Sequence, residues 1–253
     1  FMNKNSNYAS PAAYADNKLW VLDADNPPSM LMEDARSVHM DVSGIDSLTE
    51  VSLFGSQLFL GEGYFHSGST IPGKAHFLSL PLQGSSVASA AVTSLDGSGA
   101  ARFGNSAAVA DFDGDGSNEF LIGAPLADAG RGEVLYYNDD PLTTSANDMG
   151  DADNIFSGSE GLGWKLRLIG DHNEDSITDV LVLEGQNDAS AVATKAYVLD
   201  GLCLDGSASS VGAASLLTLT GQSGDGFGRS TAVGDVNGDG KQDIVVGAPL
   251  SDG

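Results

Sequence analysis

Short apolar runs separated by turn-forming residues recur along the whole chain. One set comprises residues 107–110, 120–123, 133–137 and 154–156, with Gly, Pro, Asp or Asn at the boundaries of the runs. Runs of this length and setting are typical of β-strands, and the 33 glycines suit tight turns between them. The pattern predicts an almost wholly β protein whose helices do not exceed about two turns.

The order of these runs is repeated at a nearly constant spacing. An aromatic-glycine pair, an Asp-rich segment and a Gly-Ala-Pro tripeptide follow one another from Phe103 to Pro125 and again from Phe227 to Pro249. A looser copy that starts at Leu162 lies between them. The first aspartates of the three Asp-rich segments are 60 and then 64 residues apart: Asp111, Asp171 and Asp235. A period of this size, with four strands per copy, indicates four-stranded antiparallel blades of a β-propeller.

An earlier copy of the repeat has the apolar runs but lacks the acidic segment. Its predicted strands are residues 38–42, 58–61, 74–80 and 87–93, and residues 44–49 occupy the place of the acidic segment. We therefore divide the chain into five parts. These are a partial blade of outer strands at 1–37, a blade without an acidic loop at 38–101, blades with acidic loops at 102–160 and 161–220, and a partial blade with an acidic loop at 221–253.

The three Asp-rich segments offer the oxygen ligands that calcium requires. Ca²⁺ takes six to eight oxygen ligands, and a short loop can supply them when alternate side chains turn inward. Positions 1, 3, 5 and 9 of each segment carry side-chain oxygens, and position 7 would contribute its backbone carbonyl. The predicted ligands are Asp111, Asp113, Asp115, Ser117 and Glu119; Asp171, Asn173, Asp175, Ile177 and Asp179; and Asp235, Asn237, Asp239, Lys241 and Asp243. The sequence thus predicts about three calcium ions per chain.

Two helical calcium-binding modules share part of this motif. An EF-hand requires Glu at position 12 and a following helix, whereas position 12 is Ile122, Leu181 or Val246 in an apolar, strand-like run. A dockerin-like module also continues into a helix. Plain acidic turns are the simplest alternative, because Asp and Gly favour turns, but three segments at one position of the repeat favour a metal site.

The order of Phe-Gly, acidic loop and Gly-Ala-Pro resembles the FG-GAP repeat of integrin α-subunits, and the resemblance extends from residue 38 to residue 253. It implies a β-propeller that usually has about seven blades, so we expect the four or so blades here to form an arc of a longer propeller. A small closed ring is the alternative. In integrins the face opposite the calcium loops binds ligands. By resemblance, the candidates on that face are Tyr64, Phe65, His66 and Arg131.

Charge narrows the possible partners. Eleven Lys and Arg residues stand against 35 Asp and Glu residues, which gives a net charge of −24. Nucleic acid is not an expected partner, because phosphate binding requires a basic surface. No apolar run is long enough for a membrane-spanning helix. The excess of acids fits either metal binding or a salty habitat. Cys203 is the single cysteine, so no intrachain disulfide can form.

The sequence therefore predicts a secreted or cell-surface calcium-binding module, part of a larger polypeptide or assembly, that acts in adhesion or in recognition of a protein or glycan. We expect no enzyme activity, because the four histidines are scattered along the chain without triad or metal-ligand spacing. Two alternatives stay open. One is the propeller part of a calcium-dependent enzyme that acts on polysaccharides, and the other is a structural spacer of a surface assembly. Fold alone does not choose among them.

Overall fold

A computed structural model describes residues 18–22, 37–41, 48–63, 72–80, 91–185, 194–208 and 210–250. Nearly all regular structure in these residues is β, as the apolar runs predict. The strands are β1 (Lys18–Leu22), β2 (Ser37–Asp41), β3 (Glu50–Phe54), β4 (Gln57–Gly61), β5 (Lys74–Ser79), β6 (Ala91–Asp96), β7 (Ser106–Ala110), β8 (Glu119–Ala124), β9 (Glu133–Tyr137), β10 (Asn154–Ser157), β11 (Lys165–Gly170), β12 (Asp179–Leu183), β13 (Lys195–Leu199), β14 (Ser215–Thr220), β15 (Ser230–Gly234) and β16 (Asp243–Gly247).

Helical structure in the described residues is limited to three short turns. They are Ala127–Gly130, Met149–Asp151 and Gly201–Cys203. The prediction that no helix exceeds about two turns is confirmed for this part of the chain. None of its helices is long and apolar enough to cross a membrane.

The strands form three four-stranded antiparallel sheets and two two-stranded sheets. Strands β3–β6 form blade 1, β7–β10 form blade 2 and β11–β14 form blade 3, each paired in chain order; β15–β16 form the partial blade 4, and β1–β2 form a separate pair. The first strands of neighbouring blades contact one another: β7 contacts β3 and β11, and β11 contacts β15. This is the arrangement of a β-propeller, in which the first strands surround the axis.

Blade 1 begins later in the chain than the sequence predicts. The apolar pattern places its first strand at residues 38–42, but Ser37–Asp41 pairs with Lys18–Leu22, and Glu50–Phe54 is the first strand. Its fourth strand is Ala91–Asp96 rather than residues 87–93. Polar and apolar residues alternate from residue 50 to residue 53, which suits a strand. A tight turn at Gly55-Ser56 joins it to β4, so the connection between the first two strands lies there and not at residues 44–49, where the apolar pattern places it.

Blade 2 has the strands that its apolar runs predict. The runs at 107–110 and 120–123 correspond to Ser106–Ala110 and Glu119–Ala124, for example. Where one blade should be divided from the next along the chain stays a prediction.

Apolar side chains fill the spaces between neighbouring blades. Between blades 1 and 2, the rings of Phe77 and Phe120 meet edge-on at 5.2 Å, and Phe120 stacks on Tyr137 at 4.4 Å. Between blades 2 and 3, Leu121 and Val182 belong to a second buried cluster. Complete burial of one such side chain contributes about 1.5–3 kcal/mol. Packing between blades is therefore a main source of stability.

Close contacts between blades explain the glycines of the repeated motif. A Cβ atom on Gly123, in the second strand of blade 2, would lie 2.1 Å from the carbonyl oxygen of Gly163. A Cβ atom on Gly61 of blade 1 would lie 1.9 Å from the carbonyl oxygen of Gly104. Gly104 has φ 86°, a conformation that glycine adopts without steric cost. The Phe103-Gly104 pair of blade 2, and the Leu162-Gly163 pair that replaces it in blade 3, thus sit against the second strand of the preceding blade.

The loop between β9 and β10, residues 138–153, folds back over blade 1. Gln57 Nε2 donates to the carboxylate of Asp140 at 3.3–3.4 Å, and Asp96 N donates to the carbonyl of Asn147 at 2.9 Å. Apolar side chains of the loop, including Met149, pack against the core between blades 1 and 2. The loop therefore contacts blade 1 both beside its tight turn, at Gln57, and near the other end of the sheet, at Asp96.

Candidate metal centre

Each acidic loop joins the first strand of a blade to its second strand. Residues 111–118 connect β7 to β8, residues 171–178 connect β11 to β12, and residues 235–242 connect β15 to β16. Neighbouring loops contact each other. The Ile177 side chain lies against Gly114, and Lys241 Nζ forms an ion pair with Glu174. The three loops therefore share one face of the molecule, which we call the loop face.

Three carboxylates converge in the first loop. Oxygen atoms of Asp111, Asp113 and Asp115 all lie within 4.8 Å of one another. The Asp111 carboxylate accepts hydrogen bonds from the N–H groups of Gly114 (2.6 Å) and Gly116 (3.0 Å), which fold the loop around it. Closely spaced, hard oxygen donors are the ligands that Ca²⁺ prefers. The donor set of this loop therefore fits a calcium ion.

Glu119, at the ninth position, differs from the other acids of the first loop because it is buried. Its side chain lies in β8, the residue is 2 % exposed, and Oε2 accepts a 2.7 Å hydrogen bond from Phe112 N–H. Burial raises the pKa of Glu119 to about 7, and repulsion from Asp113, Asp111 and Asp115 adds to the effect. A cation at this position would relieve both costs.

The second and third loops repeat the backbone pattern of the first. Asp171 accepts from the N–H groups of Asp175 (3.0 Å) and Ser176 (2.8 Å). Asp235 accepts from the N–H groups of Gly238 (2.7 Å) and Gly240 (2.9 Å). The first aspartate therefore organises the turn in all three loops.

Asparagine at the third position sets these two loops apart from the first. Asn173 Nδ2 donates to Asp175 Oδ2 at 2.9 Å, and Asn237 Nδ2 donates to Asp239 Oδ2 at 3.0 Å. Each loop thus has a neutral amide where the first loop has Asp113. The repulsion among their acids is smaller than in the first loop as a result.

The second loop keeps the turn without the glycines of the other two. Glu174 and Ser176 have φ of 68° and 75°, where Gly114 and Gly116 have 81° and 92°. A residue with a Cβ atom pays about 1–2 kcal/mol for this left-handed conformation. The second loop is therefore the most strained of the three.

The ninth position closes every loop in the same way. Asp179 Oδ2 accepts from His172 N–H at 2.8 Å, and Asp243 Oδ2 accepts from Val236 N–H at 2.8 Å, just as Glu119 accepts from Phe112. Asp179 also accepts from Gly201 N–H at 3.1 Å, which ties the second loop to the turn after β13. Burial raises the pKa of the Asp179 carboxyl above its ordinary value.

Two of the three residues at the seventh position have other partners for their side chains. Ile177 packs against Gly114 and Gly201, while Lys241 pairs with Glu174. The N–H of Ser117 donates to Asp115 at 2.7 Å. That the three carbonyls at this position bind metal stays a prediction.

Strands β8, β12 and β16 follow the three acidic loops, whereas an EF-hand would have a helix after each loop.

Of the predicted ligand-face residues, the structure describes only Arg131. It lies in the connection between β8 and β9 and forms an ion pair with Asp128 at 3.2 Å. Residues 64–66 lie outside the described part of the chain.

Comparison with known proteins supports the repeat assignment. The family model described as the FG-GAP repeat matches residues 103–137 and 227–253. A search of the curated proteins gave no match. Blades 1 and 3 lie outside the matched residues but have the same four-stranded sheet as blade 2. The chain therefore carries FG-GAP repeats that fold as blades of a β-propeller, consistent with its resemblance to the integrin α-subunit head.

Proposed function

We propose that this propeller is a calcium-binding extracellular module that recognises a protein or glycan, as in adhesion. The observation that carries the proposal is the convergence of Asp111, Asp113 and Asp115 oxygens within 4.8 Å in the first of three similar loops. Calcium would be held by the fifteen ligand residues of the three loops, through side-chain oxygens and the carbonyls of the seventh positions. The ion would supply the positive charge that offsets the repulsion among these acids.

The family supports the location and the binding role. FG-GAP repeats are typical of extracellular or surface proteins, form propellers that generally lack catalytic activity, and generally mediate protein interactions. Calcium would stiffen the loop face, while the opposite face would be available to a ligand. This division of faces supports a recognition module in preference to an enzyme or a spacer.

Calorimetric titration of metal-stripped protein with Ca²⁺ tests the calcium sites. We expect three ions per chain, and two for Asp113→Ala. Asp205→Ala is the matched control, because Asp205 lies in a turn outside the acidic loops, where it accepts a 2.8 Å hydrogen bond from Ser207 N–H. This variant should still bind three. One ion or none in the wild-type protein would contradict the proposal. A count of two would mean that the strained second loop does not bind calcium.

A glycan and matrix-protein array, probed in calcium and in chelator, tests recognition. We expect calcium-dependent binding to at least one component. A protein that folds and binds calcium but retains no component of the array would be a spacer, and the recognition role would be wrong.

A further inference from the structure

A second charged cluster lies on the first strands, away from the calcium loops. Lys165 Nζ of β11 contacts Glu50 Oε2 of β3 at 2.7 Å, and Arg167 Nη1 lies 3.5 Å from Glu50 Oε1. Ser52 Oγ also donates to Glu50 Oε1 at 2.8 Å. These contacts connect blade 1 with blade 3 past the small side chains of β7. They therefore lie beside the axis that the first strands surround.

The cluster has one more positive than negative group, in a chain whose net charge is −24. Glu50 is the inner member, with 10 % of its side chain exposed, whereas the side chains of Lys165 and Arg167 are 26 % and 36 % exposed. Arg167 also donates to the carbonyl of Leu166 at 2.9 Å. An ammonium group has three donors and a guanidinium group has five. Several N–H groups thus stay available on the solvent side.

The chemistry of the cluster selects a carboxylate. Glu50 already shows how these groups receive one, with an ammonium on one oxygen and a guanidinium and a hydroxyl on the other. A planar guanidinium fits a carboxylate better than it fits a spherical anion. An incoming carboxylate would meet the same two cations from the exposed side.

The cluster lies on the side of the molecule opposite the loop face. Glu50 and Lys165 are the first residues of their strands, and the acidic loops follow the last residues of first strands. Lys165 is six residues before Asp171, or roughly 20 Å along an extended strand. This is the face to which the proposed function assigns recognition.

We propose that Lys165 and Arg167 form a carboxylate-binding site at the axis, in which Glu50 holds the two cations in place. The inference rests on the proposed recognition role and names the chemical group that is recognised. The carboxylate belongs to an acidic sugar or to an acidic amino acid, and the test distinguishes these two carriers.

An NMR titration of isotope-labelled protein, in calcium and at constant ionic strength, tests the site. The probes are acetate, galacturonate and N-acetylglutamate, with chloride as the reference anion. We expect the Arg167 Nε–H signal to move saturably with carboxylates and not with chloride, and the tighter of the two larger probes identifies the carrier. A response equal to that of chloride would overturn the proposal.

Three variants separate binding from a purely structural ion pair. Lys165→Met should weaken the carboxylate response about tenfold, because a charged hydrogen bond is lost. Glu50→Gln should strengthen it, because the amide oxygen of Gln still accepts a hydrogen bond from the cations while the competing negative charge is removed. Lys74→Met, which alters an ion pair with Asp96 at 2.6 Å, is the matched control and should leave the response unchanged. Lower thermal stability of Lys165→Met with an unaltered response would show a structural pair and sink the site.

Calcium calorimetry distinguishes the two proposals. Lys165→Met should still bind three calcium ions, because Lys165 lies outside the acidic loops. A wild-type protein that binds three ions but gives no carboxylate response would refute only the axial site. A carboxylate response without calcium binding would refute the calcium sites and leave the axial site standing.

Discussion

At the scale of single residues, burial and backbone donors give the acids of the loops different properties. Glu119 is buried, and its pKa is raised to about 7 for that reason. Asp235 is exposed, and the N–H groups of Gly240, Gly238 and Asp239 hold the pKa of its carboxyl below the ordinary value. Both residues belong to the same repeated motif, so residue type alone does not determine their charge state.

Glu119 should make the metal-free protein lose stability as the pH rises. Its folded-state pKa of about 7 lies above the ordinary value of 4.5, so the folded protein binds this proton more tightly than the unfolded chain. The contribution is most favourable below pH 4.5 and is lost as the pH rises through 7. Glu119→Gln should remove this dependence. Urea midpoints of both metal-free proteins, from about pH 5 to about pH 8, check it; parallel profiles would contradict the assignment.

At the scale of elements, the packing of neighbouring blades depends on glycines, because a side chain at these positions would collide with the backbone of the next blade. Gly123→Ala should destabilise the protein by about 1–3 kcal/mol, because its Cβ would lie 2.1 Å from the carbonyl oxygen of Gly163. Gly212→Ala is the control, since a Cβ there has no atom within 4 Å. Thermal unfolding of both variants in calcium measures the difference. Equal melting temperatures of the two variants would contradict this prediction, because the blades would then accommodate the added methyl group without loss of stability.

The strands of blade 2 could be predicted because each apolar run lies next to its pairing partner in the chain. The first strand of blade 1 could not, since residues 38–42 and 50–54 are both strand-like and only pairing distinguishes them. The acidic loops could be predicted from the regular spacing of their acidic residues. The cluster of Glu50, Lys165 and Arg167 was not, because Glu50 is 115 residues or more from the two cations. The alternation of the two cations along β11 was the available signal.

At the scale of the whole molecule, excess negative charge makes stability depend on cations. Three calcium ions would bring six positive charges and move the net charge from −24 to −18. The ions would add about 2.7 kcal/mol per site when calcium is a hundredfold above its dissociation constant. The melting temperature should therefore fall in EDTA at low salt and recover in part when sodium chloride screens the repulsion. An unchanged melting curve in EDTA would mean that calcium has no structural role.

The contact between one blade's aromatic-glycine pair and the preceding blade has a consequence for exchanging parts of the molecule. Phe103 and Gly104 lie next to blade 2 in the chain, but Phe103 bridges to Gly73, and Gly104 faces Lys74 of blade 1. A graft cut at the boundaries of a sheet would separate each pair from the surface that it fits. A chimera that preserves these contacts takes the second, third and fourth strands of one blade together with the first strand of the next.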